Sequence, residues 1–229
     1  MIKRTLLATA IAVSMNAHAA PEKTISLEQI GTLQTGVFDD GAAEIVAYDA
    51  IGYRLFVINA AESTVDVVDI SDPTDPQLVG VIDVAPDIAA NTLGTSGGVN
   101  SVAVREGLVA IAVENDDKQA NGWVAFYDTE GVFLGVVEAG PLPDSVVITN
   151  NGRYVLAANE GEPSDDYLDD PEGSVTVINI SRGIARASVA TADFRDFTLA
   201  DITGGARTPR AAEIPPFSTV AQDLSLIHI

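Results

Sequence analysis

Seven carboxylates crowd into residues 160–173, which read EGEPSDDYLDDPEG: Glu160, Glu162, Asp165, Asp166, Asp169, Asp170 and Glu172. Clustered carboxylates repel one another unless a cation neutralises them. Oxygen donors without imidazole or thiolate suit a hard ion, Ca²⁺ or Mg²⁺. The spacing does not follow the EF-hand pattern, so the alternative is a solvated acidic loop that keeps a protein soluble. A second polar stretch, Glu114, Asn115, Asp116 and Asp117, follows an apolar run. Glu44, Asn100 and Asp144 each open an apolar run. The candidate Ca²⁺ ligands are Glu44, Asp144, Asn159, Glu160, Glu162, Asp165 and Asp166. Asn100, Glu114, Asn115, Asp116 and Asp117 are further candidates on the same face.

Other chemistry is excluded by what the chain lacks. There is no Cys, so no disulfide and no thiolate metal site can form. The two His are His18 and His228, each close to a terminus. Between them no Ser-His-Asp triad, His-ligated haem or His/Cys zinc site is available. Residues 94–98 (GTSGG) are Gly-rich but lack the Lys of a phosphate-binding loop.

Three segments of similar pattern must position these residues. They begin at Glu44, Asn100 and Asp144 and read EIVAYDAIGYRLFVIN, NSVAVREGLVAIAVEN and DSVVITNNGRYVLAAN. Each ends in Asn at the same offset, at Asn59, Asn115 and Asn159. Two apolar runs flank a turn carrying Gly52, Gly107 or Gly152, which is a β-hairpin signal. A third strand follows at residues 64–70, 123–128 and 174–180, and a fourth at 78–84, 132–137 and 187–192. Four short strands per unit are the signature of propeller blades. The fold class is therefore all-β, a propeller of four-stranded antiparallel blades. About three blades are present, at residues 44–85, 100–140 and 144–194. Closed propellers have about 4–8 blades, so the ring is incomplete. Residues 25–37 read as a lone strand that would close the ring. Trp123, Phe126, Tyr127 and Phe56 read as core between blades. The strand-end residues Asn59, Asn115, Asn159, Asp69, Asp128 and Asn179 read as partners of loop backbone.

The connectivity sorts the loops. Links between second and third strands share one face with the blade-to-blade connections, and that face is the longer, more acidic one. Insertions confined to one face mark a binding face.

Both ends read as lying outside the fold. Residues 1–19 have a charged start at Lys3 and Arg4, an apolar stretch, and an Ala17-His18-Ala19 cleavage pattern. That is a secretory signal, which makes the mature protein periplasmic, extracellular or surface-bound. Residues 224–229 (LSLIHI) match a translated library adapter. The propeller portion is then residues 20–223. The chain has 229 residues, with 12 Lys+Arg against 33 Asp+Glu, and a net charge of -21. Such acidity argues against nucleic acid and anionic membranes as partners. No stretch reaches the ~20 apolar residues of a membrane span.

The runs GAAEIVAYD, RLFVINA, GGVNSVAV, VENDDK, LPDSVVIT, ANEGEPSDDY, DPEGSVTVI and STVAQDL resemble the bacterial choice-of-anchor I domain family over residues 25–223. The resemblance implies an exported propeller of several blades, akin to YVTN and WD40 repeats, anchored by varied C-terminal signals. It implies no defined activity. The leading expectation is a non-catalytic binding module whose acidic face holds Ca²⁺ and engages a protein, glycan or small molecule. The rival is a metal-dependent phosphoesterase of alkaline phosphatase type, in which a metal-bound water attacks phosphorus. A quinoprotein-like dehydrogenase is a third reading, by fold analogy alone.

Overall fold

The computed structural model describes residues 25–38 and 40–195. The expected signal, residues 1–19, and the adapter-like tail, residues 224–229, lie outside them. Among the described residues twelve strands form three four-stranded sheets. The first holds β1 (Val46–Asp49), β2 (Arg54–Asn59), β3 (Thr64–Asp69) and β4 (Gln77–Asp83). The second holds β5 (Ser96–Arg105), β6 (Leu108–Asn115), β7 (Asn121–Asp128) and β8 (Phe133–Pro141). The third holds β9 (Pro143–Ile148), β10 (Tyr154–Asn159), β11 (Ser174–Asn179) and β12 (Ser188–Ala192). Every sheet runs in chain order with antiparallel neighbours, as the repeat predicts.

Period-two alternation decides how the sheets stack. In the second sheet Val109, Ile111, Val113, Trp123, Ala125 and Tyr127 point to the first sheet. There they meet Phe56, Ile58, Val65, Val67 and Ile82. The intervening residues Ala110, Ala112, Val124 and Phe126 point the other way, onto Val146, Val155, Ala157 and Ile178 of the third sheet. A strand buried on both faces reads as a continuous apolar run, which is why LVAIAV and WVAFY show no polar alternation. Fully burying each of the Val, Ile and Phe side chains contributes about 1.5–3 kcal/mol. The four aromatic residues expected in the core between blades are all buried there. The result is a propeller-type arc of three blades, and the described residues close no ring.

Turn chemistry supports the hairpins. Arg105 pairs with Leu108, leaving Glu106 and Gly107 as a two-residue loop with φ of 50° and 85°. Both values lie in the left-handed region that a type I′ turn requires. In the first blade Asp49 accepts from the Ile51 and Gly52 amides at 3.1 and 2.9 Å.

Three features depart from expectation. Residues 25–37 form no strand; they cross the first blade, and residues 32–37 are exposed. Their apolar residues, Ile25, Leu27, Ile30, Leu33 and Val37, do not keep a two-residue period. A helix, α1 (Ala85–Asn91), follows the first blade, with Pro86 in its first turn and Ile88 buried between the first two blades. The second inner strand starts at Ser96, four residues before Asn100, and shifts register twice before Ser101.

Candidate functional site

In an up-and-down sheet the starts of odd strands and the ends of even strands share one end. The hydrogen bonds show this in each blade. The Glu44 amide donates to the Ile58 carbonyl at 3.1 Å, Asp116 to Thr95 at 2.9 Å, and Glu160 to Leu142 at 2.9 Å. Glu44, Asn100 and Asp144 therefore lie at the same end as the loops that follow Asn59, Asn115 and Asn159. Two of those loops touch: the Gln119 side-chain amide donates to the Glu162 carbonyl at 3.1 Å.

Several candidates at this end are engaged in holding backbone. The Glu114 carboxylate accepts from the Gly98 amide at 3.1 Å and from the Asn100 side chain at 3.2 Å. Asn100 also donates to the Pro143 carbonyl at 3.3 Å, which ties the second blade to the third. A Cβ at Gly97 would sit 3.0 Å from Glu114 side-chain atoms, so glycine permits this approach. Asn115 accepts from the Asp117 amide at 3.1 Å and donates to the Asn121 carbonyl at 3.0 Å. Asn59 accepts from the Glu62 amide at 3.3 Å. At the opposite end Asp69, Asp128 and Asn179 likewise accept from backbone amides two residues on, at 2.8, 2.9 and 3.0 Å.

Asn159 differs from the other strand-end Asn residues. Its side-chain amide donates to Ser174 Oγ at 3.0 Å and Thr176 Oγ1 at 2.9 Å, and its own Oδ1 has no partner among the described residues. It is a buried link between β10 and β11 within the third blade, and Thr176 in turn accepts from the Gly140 amide of the second blade at 3.2 Å.

The acidic loop has its own scaffold. Gly161, with φ of 66°, packs against the backbone of Pro171 and Gly173. Ser164 and Asp169 exchange hydrogen bonds at 2.7 and 3.1 Å across the loop. Asp166 accepts from Ser164 Oγ at 2.8 Å and the Leu168 amide at 3.1 Å, and these bonds hold its carboxyl below the usual carboxylate range. Glu44, Asp116, Asp117, Asp144, Glu162 and Asp165 are exposed at this end. Among the described residues no three Asp, Glu or His side chains converge as a metal-holding group. The end is thus a broad negative surface. Beside it lies an open cavity of about 510 Å³ lined by Asn91, Asn115, Asn121, Trp123 and Glu138.

Two features escape a motif search. Tyr127 donates to Asp87 of α1 at 2.9 Å. Asp66 stands in the apolar run TVDVVDI with 8% of its surface exposed. Burial raises its carboxyl above the ordinary range, against a weak pull from Asn59 at 3.4 Å. The only sequence signal is a charge at a strand position that alternation assigns to a covered face.

The fold is a propeller-type arc with one polar, loop-bearing end. The chain belongs to the choice-of-anchor I domain family, whose profile matches residues 44–225. Domains of this kind occur in surface or exported proteins. No curated protein matches the chain. Among solved structures it is similar to hydrazine synthase of Kuenenia stuttgartiensis, with 19% identity over 65% of this chain and 37% of that one, at a TM-score of 0.44. It is also similar to a Bacteroides fragilis protein provisionally assigned as a 6-phosphogluconolactonase, with 16% identity over 66% and 38%, at a TM-score of 0.47. The chain spans less than two fifths of either relative's length. No helix among the described residues is long and apolar enough to cross a membrane.

Proposed function

We propose that this chain is a non-catalytic binding module of an exported or surface protein, and that its acidic end takes the ligand. The observation that supports this most is the contact of Gln119 with Glu162, which joins the long loops of two blades into one surface. Family membership supports the surface setting. The ligand class is a glycan, or another molecule rich in hydroxyl or cationic groups. The cavity lined by Asn115, Asn121, Trp123 and Glu138 offers planar amides and a carboxylate beside an indole, donors and acceptors that suit sugar hydroxyls.

Calcium is the finer part of the proposal. Glu162, Asp165 and Asp166 are its ligands from the loop, and Glu160, Asn159, Asp144 and Glu44 complete the candidate set at the same end. Binding would have to draw these side chains together. Charge density supports it: a net charge of -21 leaves carboxylates with few cationic partners. The test is calorimetry with Ca²⁺, followed by glycan binding with and without chelator. Saturable heat that falls in Asp165→Asn and Glu162→Gln supports the reading, and no heat at millimolar Ca²⁺ removes calcium from it. Turnover of a generic phosphomonoester would replace the binding reading with the phosphoesterase one, which no observation here favours.

A further inference from the structure

Residues 91–94, at the end of α1 and just beyond it, lie over the face of the second blade that turns toward the first. Between them and the sheet is the open cavity of about 510 Å³. Small-ligand sites span about 300–1,000 Å³. Trp123 pairs with Glu138, and Ala125 with Val136, so Trp123, Val136 and Glu138 share that face. The walls are the second blade and the linker that leads into it, so no further blade is needed to shape the cavity.

Trp123 is 5% exposed, and Cζ2 and Cη2 of its indole leave no room for a Cβ at Gly94. Glycine there lets the linker close over this edge of the ring. The indole Nε1–H lies on the same edge, next to Cζ2, and meets no acceptor among the described residues. It is not sealed in the core either, so it opens into the cavity that Trp123 lines. A donor set so deep is ordinarily paired. The rest of the lining is rich in acceptors. Asn91 and Asn121 each give an amide hydrogen to the protein, to the Asp87 carbonyl at 2.8 Å and to Glu138 at 3.0 Å, and keep their side-chain oxygens as acceptors. The Glu138 carboxylate accepts only, and one Asn121 bond leaves it further lone pairs. Val136 adds an aliphatic patch.

We propose that this cavity binds an N-acetylated amino sugar, an inference that rests on the glycan reading and names its ligand class. The acetamido carbonyl accepts from the Trp123 Nε1–H, its N–H donates to Glu138, and its methyl lies against Val136. Ring hydroxyls donate to Asn91 and Asn121. A secondary amide fits because it carries an acceptor, a donor and a methyl on one planar group. A plain hexose has no methyl for Val136.

The chain has one tryptophan, so its emission reports on this cavity alone. The test titrates the full chain with N-acetylglucosamine, glucose and glucosamine, and follows tryptophan emission together with calorimetric heat. Saturable N-acetylglucosamine binding that changes the emission and is at least about tenfold tighter than glucose is expected, the range of one or two added hydrogen bonds. Glu138→Ala, at an exposed position, should bring N-acetylglucosamine to the level of glucose. Trp123→Phe keeps an aromatic ring and removes the N–H, and calorimetry should show the same loss. Trp123 belongs to the core, so if that variant misfolds, Glu138→Ala and the three sugars still decide. Equal affinity for N-acetylglucosamine and glucose overturns the proposal, as does tighter binding of glucosamine, which would mean that Glu138 reads a charge. Heat with unchanged emission overturns it as well and leaves the glycan reading in place. Neither heat nor emission change with all three sugars overturns this inference alone, because Ca²⁺ and larger glycans test the broader reading.

Discussion

Gln119 and Glu162, 43 positions apart, meet at one end of the molecule through a 3.1 Å bond from side chain to backbone. The contact has little to do with overall stability, since both groups lie near the surface. Gln119→Ala should change the unfolding free energy by less than about 0.5 kcal/mol. It should instead raise hydrogen exchange across residues 160–173, as mass spectrometry of peptides from that loop would record.

Gly161 occupies a left-handed conformation, and an added Cβ would come within 2.6 Å of backbone at Pro171 and Gly173. Gly161→Ala is therefore strained in two ways. A loss of about 1–3 kcal/mol is expected, read as a lower denaturant midpoint. The same variant should weaken any ligand bound by the acidic loop, because the loop base can no longer close.

Phe126 is fully buried between the second and third blades. Phe126→Ala should cost about 3–5 kcal/mol. Chemical denaturation would show this as a large midpoint shift with little change in slope.

Tyr127 couples pH to stability at the alkaline limit. Burial first, and then the Asp87 carboxylate, raise its hydroxyl above the ordinary range. A raised folded value means the protonated form is favoured in the folded state. That contribution is whole below about pH 10, the unfolded value, and is lost as pH climbs beyond it. Tyr127→Phe should lower stability at pH 7 by about 0.5–1.5 kcal/mol and flatten the alkaline decline. Thermal melts between pH 8 and 11 would measure both effects.

Asp66 acts in the same sense at lower pH. Its raised folded value adds stability below the ordinary carboxyl range, and this is lost as pH rises through the folded value. Ionised Asp66 thus weakens the fold at neutral pH. Asp66→Asn should match the unaltered chain at pH 3 and exceed it at pH 7. Parallel melting temperatures at both values would contradict this.

The blades were legible because burial on alternate faces writes itself into the chain. LVAIAV and WVAFY are apolar at every position because the second blade is covered on both sides. Helix α1 left little trace: seven residues with one buried side chain, Ile88, carry no helical period. Residues 25–37 read as a lone strand, yet their apolar positions 25, 27, 30, 33 and 37 leave period two after Leu27, and no local pattern specifies whether a segment reaches a sheet edge. For the site, connectivity places Glu44, Asn100, Asp144 and the long loops at one end. It does not place Glu114 on the Gly98 amide or Asp166 on Ser164, since those contacts depend on loop conformation. Asp66 stayed hidden because a single Asp in a strand carries no motif.

Hydrogen exchange on the chain with and without Ca²⁺ and a bound glycan bears most directly on the binding face. Protection confined to the acidic end, at residues 41–46, 91–100, 114–122, 138–145 and 159–173, is the expected result. Protection centred on the opposite hairpins, around Gly52, Gly107 and Gly152, or none at saturating ligand, would contradict a one-ended binding surface.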